Sequence, residues 1–127
     1  MEIIIVDDEA VFLMIHENIL KRHGVIFPIR SFLWGTELIS FLKNNNSEDK
    51  KFLILLDIYM DNMDAWEILA YLDARDFKCK FKVVIVTSSV EIEEREKSKK
   101  FHFVVDFINK PLNRDLVEQI MERAHFE

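Results

Sequence analysis

The chain has 127 residues, half of them hydrophobic and 31% charged, with a formal net charge of −6. That length suits one compact domain, and that composition is typical of a globular chain and not of a disordered or membrane one. The acidic balance argues against nucleic acid as a direct partner, and apolar runs of about five residues fall far short of the ~20 that span a bilayer, so the sequence reads as cytoplasmic, with no membrane segment or signal peptide.

Glu2-Ile3-Ile4-Ile5-Val6 is an apolar run that ends in Asp7-Asp8-Glu9. Runs that do not alternate suit strands buried on both faces of a parallel sheet. Ala10 to His23 is expected to be a helix stopped by Gly24, with Phe12, Ile15, Ile19 and Leu20 on its inner stripe and His16 as a hydrogen-bonded core histidine. Val11, Leu13 and Met14 lie off that stripe, a surplus that marks a docking face. Val25 to Phe32 is a weaker strand that Pro28 confines to an edge. Gly35-Thr36 opens a helix to about Lys43, with Leu38, Ile39 and Leu42 inward, and a polar loop follows.

Phe52 to Leu56 is the central strand and delivers Asp57 to its exit. Asp64 caps a helix to about Asp76 that carries Trp66, Leu69 and Leu72. Cys79 has no cysteine to pair with, and among Lys78, Lys80 and Lys82 it reads as an inert surface thiol on a loop or edge. Lys82 to Thr87 is the fourth strand. The charged segment Glu91 to Lys100 has acid-before-base pairs at Glu91 and Arg95, Glu93 and Lys97, and Glu96 and Lys100. Val90 and Ile92 are its main apolar anchors, so this helix is the element expected to move. Phe103 to Ile108 is the fifth strand. Asn109-Lys110-Pro111 follows, and Asn113 caps a last helix with Leu116, Val117, Ile120 and Met121 on its apolar side.

Five alternations of strand and helix predict an α/β domain, a five-stranded parallel sheet covered by helices on both faces. In such a sheet the strand exits share one edge, where ligands bind. That edge receives Asp7 and Asp8, Asp57, Thr87 with Ser88, and Lys110. Carboxylate pairs at ~5 Å and an effective dielectric of ~20 repel by about 3 kcal/mol, so the cluster calls for a cation. Hard oxygen ligands without His or Cys favour Mg²⁺ (or Mn²⁺). Three acids, one lysine and a divalent ion give a neutral site that can accept a phosphoryl group. Asp57 would be the nucleophile, with Thr87 and Lys110 facing the phosphoryl oxygens.

These motifs resemble the receiver domain of two-component response regulators, in its single-domain, chemotaxis-regulator-like form. The resemblance covers nearly the whole chain. It rests on Asp7-Asp8, Asp57-Ile58-Tyr59-Met60 with Met63-Asp64, Thr87-Ser88, and Asp106-Phe107-Ile108-Asn109-Lys110-Pro111. It implies a doubly wound, flavodoxin-like sheet of strand order 2-1-3-4-5 and a single receiver domain over residues 1–127 with no output domain. Asp57 would accept phosphate from a phosphohistidine of a histidine kinase or histidine phosphotransfer protein. Asp8, Asp57 and the backbone carbonyl of Tyr59 would bind Mg²⁺, with Asp7 acting through water. Thr87 and Lys110 would contact phosphoryl oxygens, and Lys110-Pro111 would be cis. Thr87 and Phe107 would form the switch that carries the signal to the face of the fourth helix, fifth strand and last helix and on to an unspecified protein target. Tyr59 and Ser89 would tune phosphate lifetime. Such a domain is a phosphoacceptor that catalyses only its own phosphorylation and dephosphorylation.

Three positions depart from the family pattern: Asp61 where Pro is frequent, Ala65 where Gly is frequent, and Phe103 in place of a helix-ending Gly. Two rivals share features of the site. A haloacid-dehalogenase-type phosphatase needs a second Asp two residues after the first, where this chain has Tyr59. A phosphate-independent interaction module would not need Asp7, Asp8, Asp57, Thr87 and Lys110 together.

Overall fold

The apolar runs become strands whose alternate residues feed two separate cores. Strand and helix alternate five times among the residues that the computed structural model describes, 1–61, 63–88 and 91–126. The strands β1 (Glu2–Val6), β2 (Ile29–Phe32), β3 (Lys51–Leu56), β4 (Lys80–Thr87) and β5 (Val104–Asn109) form one parallel sheet in the order β2-β1-β3-β4-β5. The helices are α1 (Ala10–Arg22), α2 (Gly35–Asn44), α3 (Ala65–Asp73), α4 (Ile92–Ser98) and α5 (Arg114–Arg123). This is the expected flavodoxin-like arrangement. Successive strand side chains point to opposite faces. Ile4, Val6, Ile54, Leu56, Val83 and Ile85 therefore pack with α2 and α3, and Ile3, Ile5, Leu53, Leu55, Val84 and Val86 with α1 and α5. Burial on both faces explains why these runs do not alternate.

The caps follow the sequence. Asp64 Oδ1 accepts the N–H of Glu67 and Asn113 Oδ1 that of Leu116, each at 2.9 Å, and Gly24 ends α1 at φ +86°. Pro28 shortens the edge strand, which begins only at Ile29. The third helix stops at Asp73 and not near Asp76.

Other expectations need correction too. The buried stripe of α1 is Leu13, His16 and Leu20, while Ile15 is exposed. Residues 11–15 are all apolar, so their periodicity fits several phases, and the sheet and α5 select the one led by Leu13. His16 is a core residue, but its Nε2 finds no hydrogen-bond partner among the described residues. Cys79 is buried, not on the surface. Asn46 Oδ1 accepts the N–H groups of Lys78 and Cys79 at 2.6 and 3.0 Å, which fixes the turn before β4 with the thiol in the core. Burial raises its pKa, so the thiol is inert for a different reason. In α4, Glu96 pairs with Lys99 at 2.9 Å in place of Lys100, while Arg95 and Lys97 turn to aromatic partners, the Phe107 and Trp66 rings.

Close packing also sets one helix start. A Cβ on Gly35 would stand 2.6 Å from Ile68 Cδ1 and 3.0 Å from the Met63 carbonyl oxygen. Alanine is the better helix former, yet Gly35→Ala is expected to destabilise the domain by about 1–3 kcal/mol through overpacking. Urea denaturation checks this, and an unchanged or higher midpoint would contradict it.

Candidate functional site

Register brings the strand exits to one level. Val6 pairs with Leu56 and Leu56 with Ile85, so Asp7 and Asp57 leave the sheet side by side. The N–H of Asp57 donates to the Val6 carbonyl and that of Asp7 to the Phe32 carbonyl, both at 3.1 Å. On the far side Thr87 pairs with Asn109, and its carbonyl accepts the N–H of Lys110 at 2.8 Å. The Lys110–Pro111 peptide is cis, as the resemblance implies.

Three carboxylates and one ammonium meet at this edge. Asp7, Asp8 and Asp57 each offer an oxygen, and these lie within 4.8 Å of one another. Lys110 Nζ stands 2.7 Å from Asp7 Oδ2 and 3.5 Å from Asp57 Oδ2. Asp7 and Asp57 are buried, at 2% and 6% exposure, and Asp8 is half-buried. Burial pushes the Asp57 carboxyl up to about 6, with Lys110 pulling it down and Asp7 adding repulsion. Asp7 is steadied by the N–H of Glu9, which donates to its Oδ1 at 3.0 Å. Behind them, burial lowers the His16 pKa, opposed by Asp7 and reinforced by Lys110.

The donor set fits a hard divalent cation. All candidate ligands are oxygens, and three acids against one lysine leave an excess of two negative charges. Around Mg²⁺ at ~2.1 Å, octahedral ligand oxygens stand roughly 3–4.2 Å apart. The observed spacing closes to that with small side-chain shifts. An ion bound here would neutralise the acids and polarise phosphoryl oxygens.

Thr87 is fully buried at the end of β4. Phe107 is buried in the core, and Arg95 Nη2 donates to its carbonyl at 3.0 Å. Tyr59 is exposed two residues beyond Asp57, and its hydroxyl donates to Glu94 of α4. Ser89, expected to tune phosphate lifetime, and Val90, expected to anchor the fourth helix, lie outside the described residues. Of the departures, Ala65 is buried as the first residue of α3, its N–H donating to Ile58 at 3.2 Å. Phe103 fills the core, 5.1 Å between ring centroids from Phe81. Sequence reasoning missed two neighbours of the site: Phe12, whose ring lies under Lys110, and Glu94. Phe12 was visible only as a core residue, because nothing in its spacing couples it to a lysine 98 positions later.

Fold and pocket define a doubly wound α/β domain with an acidic, lysine-flanked site at the carboxyl edge of its sheet. The family described as the response regulator receiver domain matches residues 3–122, and the chain belongs to that family. The family is one of phosphoacceptor signalling modules that bind Mg²⁺ at an acidic pocket, with phosphodonor partners such as histidine kinases. The chain is similar to a two-component response regulator from Cytophaga hutchinsonii, at 20% identity and a TM-score of 0.85, covering 97% of this chain and 95% of that one. It is similar also to a CheY-like receiver domain protein from Methanospirillum hungatei, at 28% identity and a TM-score of 0.75, covering 97% and 92%. A curated relative, hybrid signal transduction histidine kinase L of Dictyostelium discoideum, is 26% identical over 124 residues, 96% of this chain and 7% of that protein. The chain thus spans a small fraction of that relative's length. Among the described residues, no helix is long and apolar enough to cross a membrane.

Proposed function

We propose that Asp57 accepts a phosphoryl group from a phosphohistidine of a histidine kinase or phosphotransfer protein. An Asp57 carboxylate oxygen forms the new P–O bond as the P–N bond breaks, and the imidazole leaves with the electron pair. Asp8, Asp57 and the Tyr59 carbonyl would hold Mg²⁺ (or Mn²⁺), with Asp7 acting through water. Lys110 moves from Asp7 to a phosphoryl oxygen, and the Thr87 hydroxyl donates to another. Water later hydrolyses the acyl phosphate, at a rate that Tyr59 and Ser89 tune. The observation that carries this proposal is the approach of Lys110 Nζ to both Asp7 and Asp57, 103 and 53 positions away in the chain.

The signal leaves through α4, β5 and α5. Ser98 is the buried residue of α4, and Ile92 at its start is exposed and does not anchor the helix as expected. Arg95 on the Phe107 carbonyl and Glu94 under the Tyr59 hydroxyl tie this helix to the switch residue and to the loop after Asp57. Few apolar contacts and several polar ties suit an element that shifts when the pocket charge changes. The domain would act in the cytoplasm, beside its phosphodonor, and its target is a protein and not nucleic acid.

The donor would dock on α1 beside the pocket, where Val11 and Met14 are each 64% exposed; Leu13, expected on this face, is buried, and Ile15 is exposed in its place. Val11→Ser with Met14→Ser is expected to slow transfer from a phosphohistidine donor about tenfold, with labelling by acetyl phosphate unchanged. Equal effects on both donors would contradict docking there. The function itself is tested by mixing the domain with a phosphorylated histidine phosphotransfer protein and Mg²⁺. Asp57-dependent loss of the donor's phosphate supports it, and transfer that survives Asp57→Asn overturns it.

A further inference from the structure

The Lys110 ammonium has a partner that the proposed chemistry does not use. Its Nζ lies 4.2 Å from the centroid of the Phe12 ring, inside the range of about 6 Å within which a cation and an aromatic face attract. Its ionic contacts are the Asp7 carboxylate at 2.7 Å and the Asp57 carboxylate at 3.5 Å, and the lysine side chain is only 6% exposed. Water is thus largely kept from the ammonium, which strengthens its attraction to the ring. The ring is itself held in place. It comes from the first turn of α1, is half-buried, and its centroid lies 5.6 Å from that of His16 one turn on.

Both carboxylates change partners during the proposed transfer, on which this inference rests. Asp57 becomes an acyl phosphate, and Asp7 turns toward the cation site. Each loosens its hold on Lys110, while Phe12 carries no charge and is altered in neither step. We infer that Phe12 is a positioning residue for phosphoryl transfer: its ring face holds the Lys110 ammonium over the pocket while the lysine passes from Asp7 to the phosphoryl oxygens. Leucine at this position would keep the apolar packing and remove the electron-rich face.

The test uses Phe12→Leu, Phe12→Tyr and proteins carrying mono-, di- or trifluorinated phenylalanine at position 12. Fluorine drains the ring face of charge with little change in size. Two quantities are read: the rate of phosphorylation by acetyl phosphate with Mg²⁺, and, in metal-free protein, carbon-13 relaxation at Lys110 Cε. Phe12→Leu is expected to slow phosphorylation about tenfold and Phe12→Tyr by less than about twofold, with a graded fall across the fluorinated series. Lys110 Cε motion should rise in the same order. A flat fluorinated series overturns the inference even where Phe12→Leu is slow, because a packing role follows volume and not ring charge. If the parent domain takes no phosphate, the proposed function fails separately. Cε relaxation then decides alone: graded motion upholds the hold on the lysine, and unchanged motion overturns it.

Discussion

Lys110→Ala is expected to lower the stability of the metal-free domain by about 3–5 kcal/mol at pH 7, while making it bind Mg²⁺ more tightly. The substitution removes the ammonium that touches Asp7 and Asp57, whose side chains are only 3% and 8% exposed. Two largely buried carboxylates are then left facing each other and Asp8, with little solvent to compensate. The same change raises the excess negative charge of the pocket from two to three, which strengthens the pull on a divalent cation. Phosphorylation should nevertheless slow by roughly 100-fold, because a preorganised positive group no longer meets the phosphoryl oxygens. Urea denaturation, calorimetric Mg²⁺ titration and labelling by acetyl phosphate check the three effects. Unchanged stability together with weaker Mg²⁺ binding would contradict the charge balance drawn here.

Asp57→Asn should act in the opposite direction on stability. Burial raises the Asp57 carboxyl to about 6 from an ordinary value of 3.8, so the folded state binds this proton more tightly than the unfolded chain. Its contribution to stability is therefore fully present below pH ~4 and is lost as pH rises through about 6. At pH 7 the ionised Asp57 works against the metal-free fold, and Asp57→Asn is expected to be more stable than the parent by up to about 3 kcal/mol. The gap between the two proteins should shrink as pH falls from 7 to 4. Mg²⁺ should stabilise the parent much more than the variant, since the variant lacks one of the three acids. A parent more stable than Asp57→Asn at pH 7 without metal would contradict the assignment of Asp57 as a strained buried acid.

The strands and the pocket were legible in the sequence because each rests on a local signal. Ile3 to Val6, Phe52 to Leu56 and Val83 to Val86 do not alternate, since both of their faces are buried, and the polar residue after each run marks the sheet edge. The phase of α1 was not legible. Val11 to Ile15 are all apolar, so only the tertiary partners of Leu13 decide which way the helix turns. The burial of Cys79 was hidden for a related reason: its lysine neighbours signal solvent, whereas the anchor that turns the thiol inward is Asn46, in a distant loop. Charge spacing likewise misled in α4. Pairs four apart are favourable on an isolated helix, but the Phe107 carbonyl and the Trp66 ring offer Arg95 and Lys97 less solvated partners. At the site, the acids, hydroxyl and amine were readable, whereas the contact of Phe12 with Lys110 depends on packing across two elements.

In the proposed function Asp57 takes the phosphate, with the acids, Lys110 and a divalent cation gathered around it. The most direct measurement is borohydride trapping after incubation with acetyl phosphate and Mg²⁺, which reduces an aspartyl phosphate to homoserine that tandem mass spectrometry can place. Homoserine at position 57, absent when Mg²⁺ is chelated, is the expected result. Trapping at another acidic residue, or none at all in folded protein with Mg²⁺ present, would contradict it.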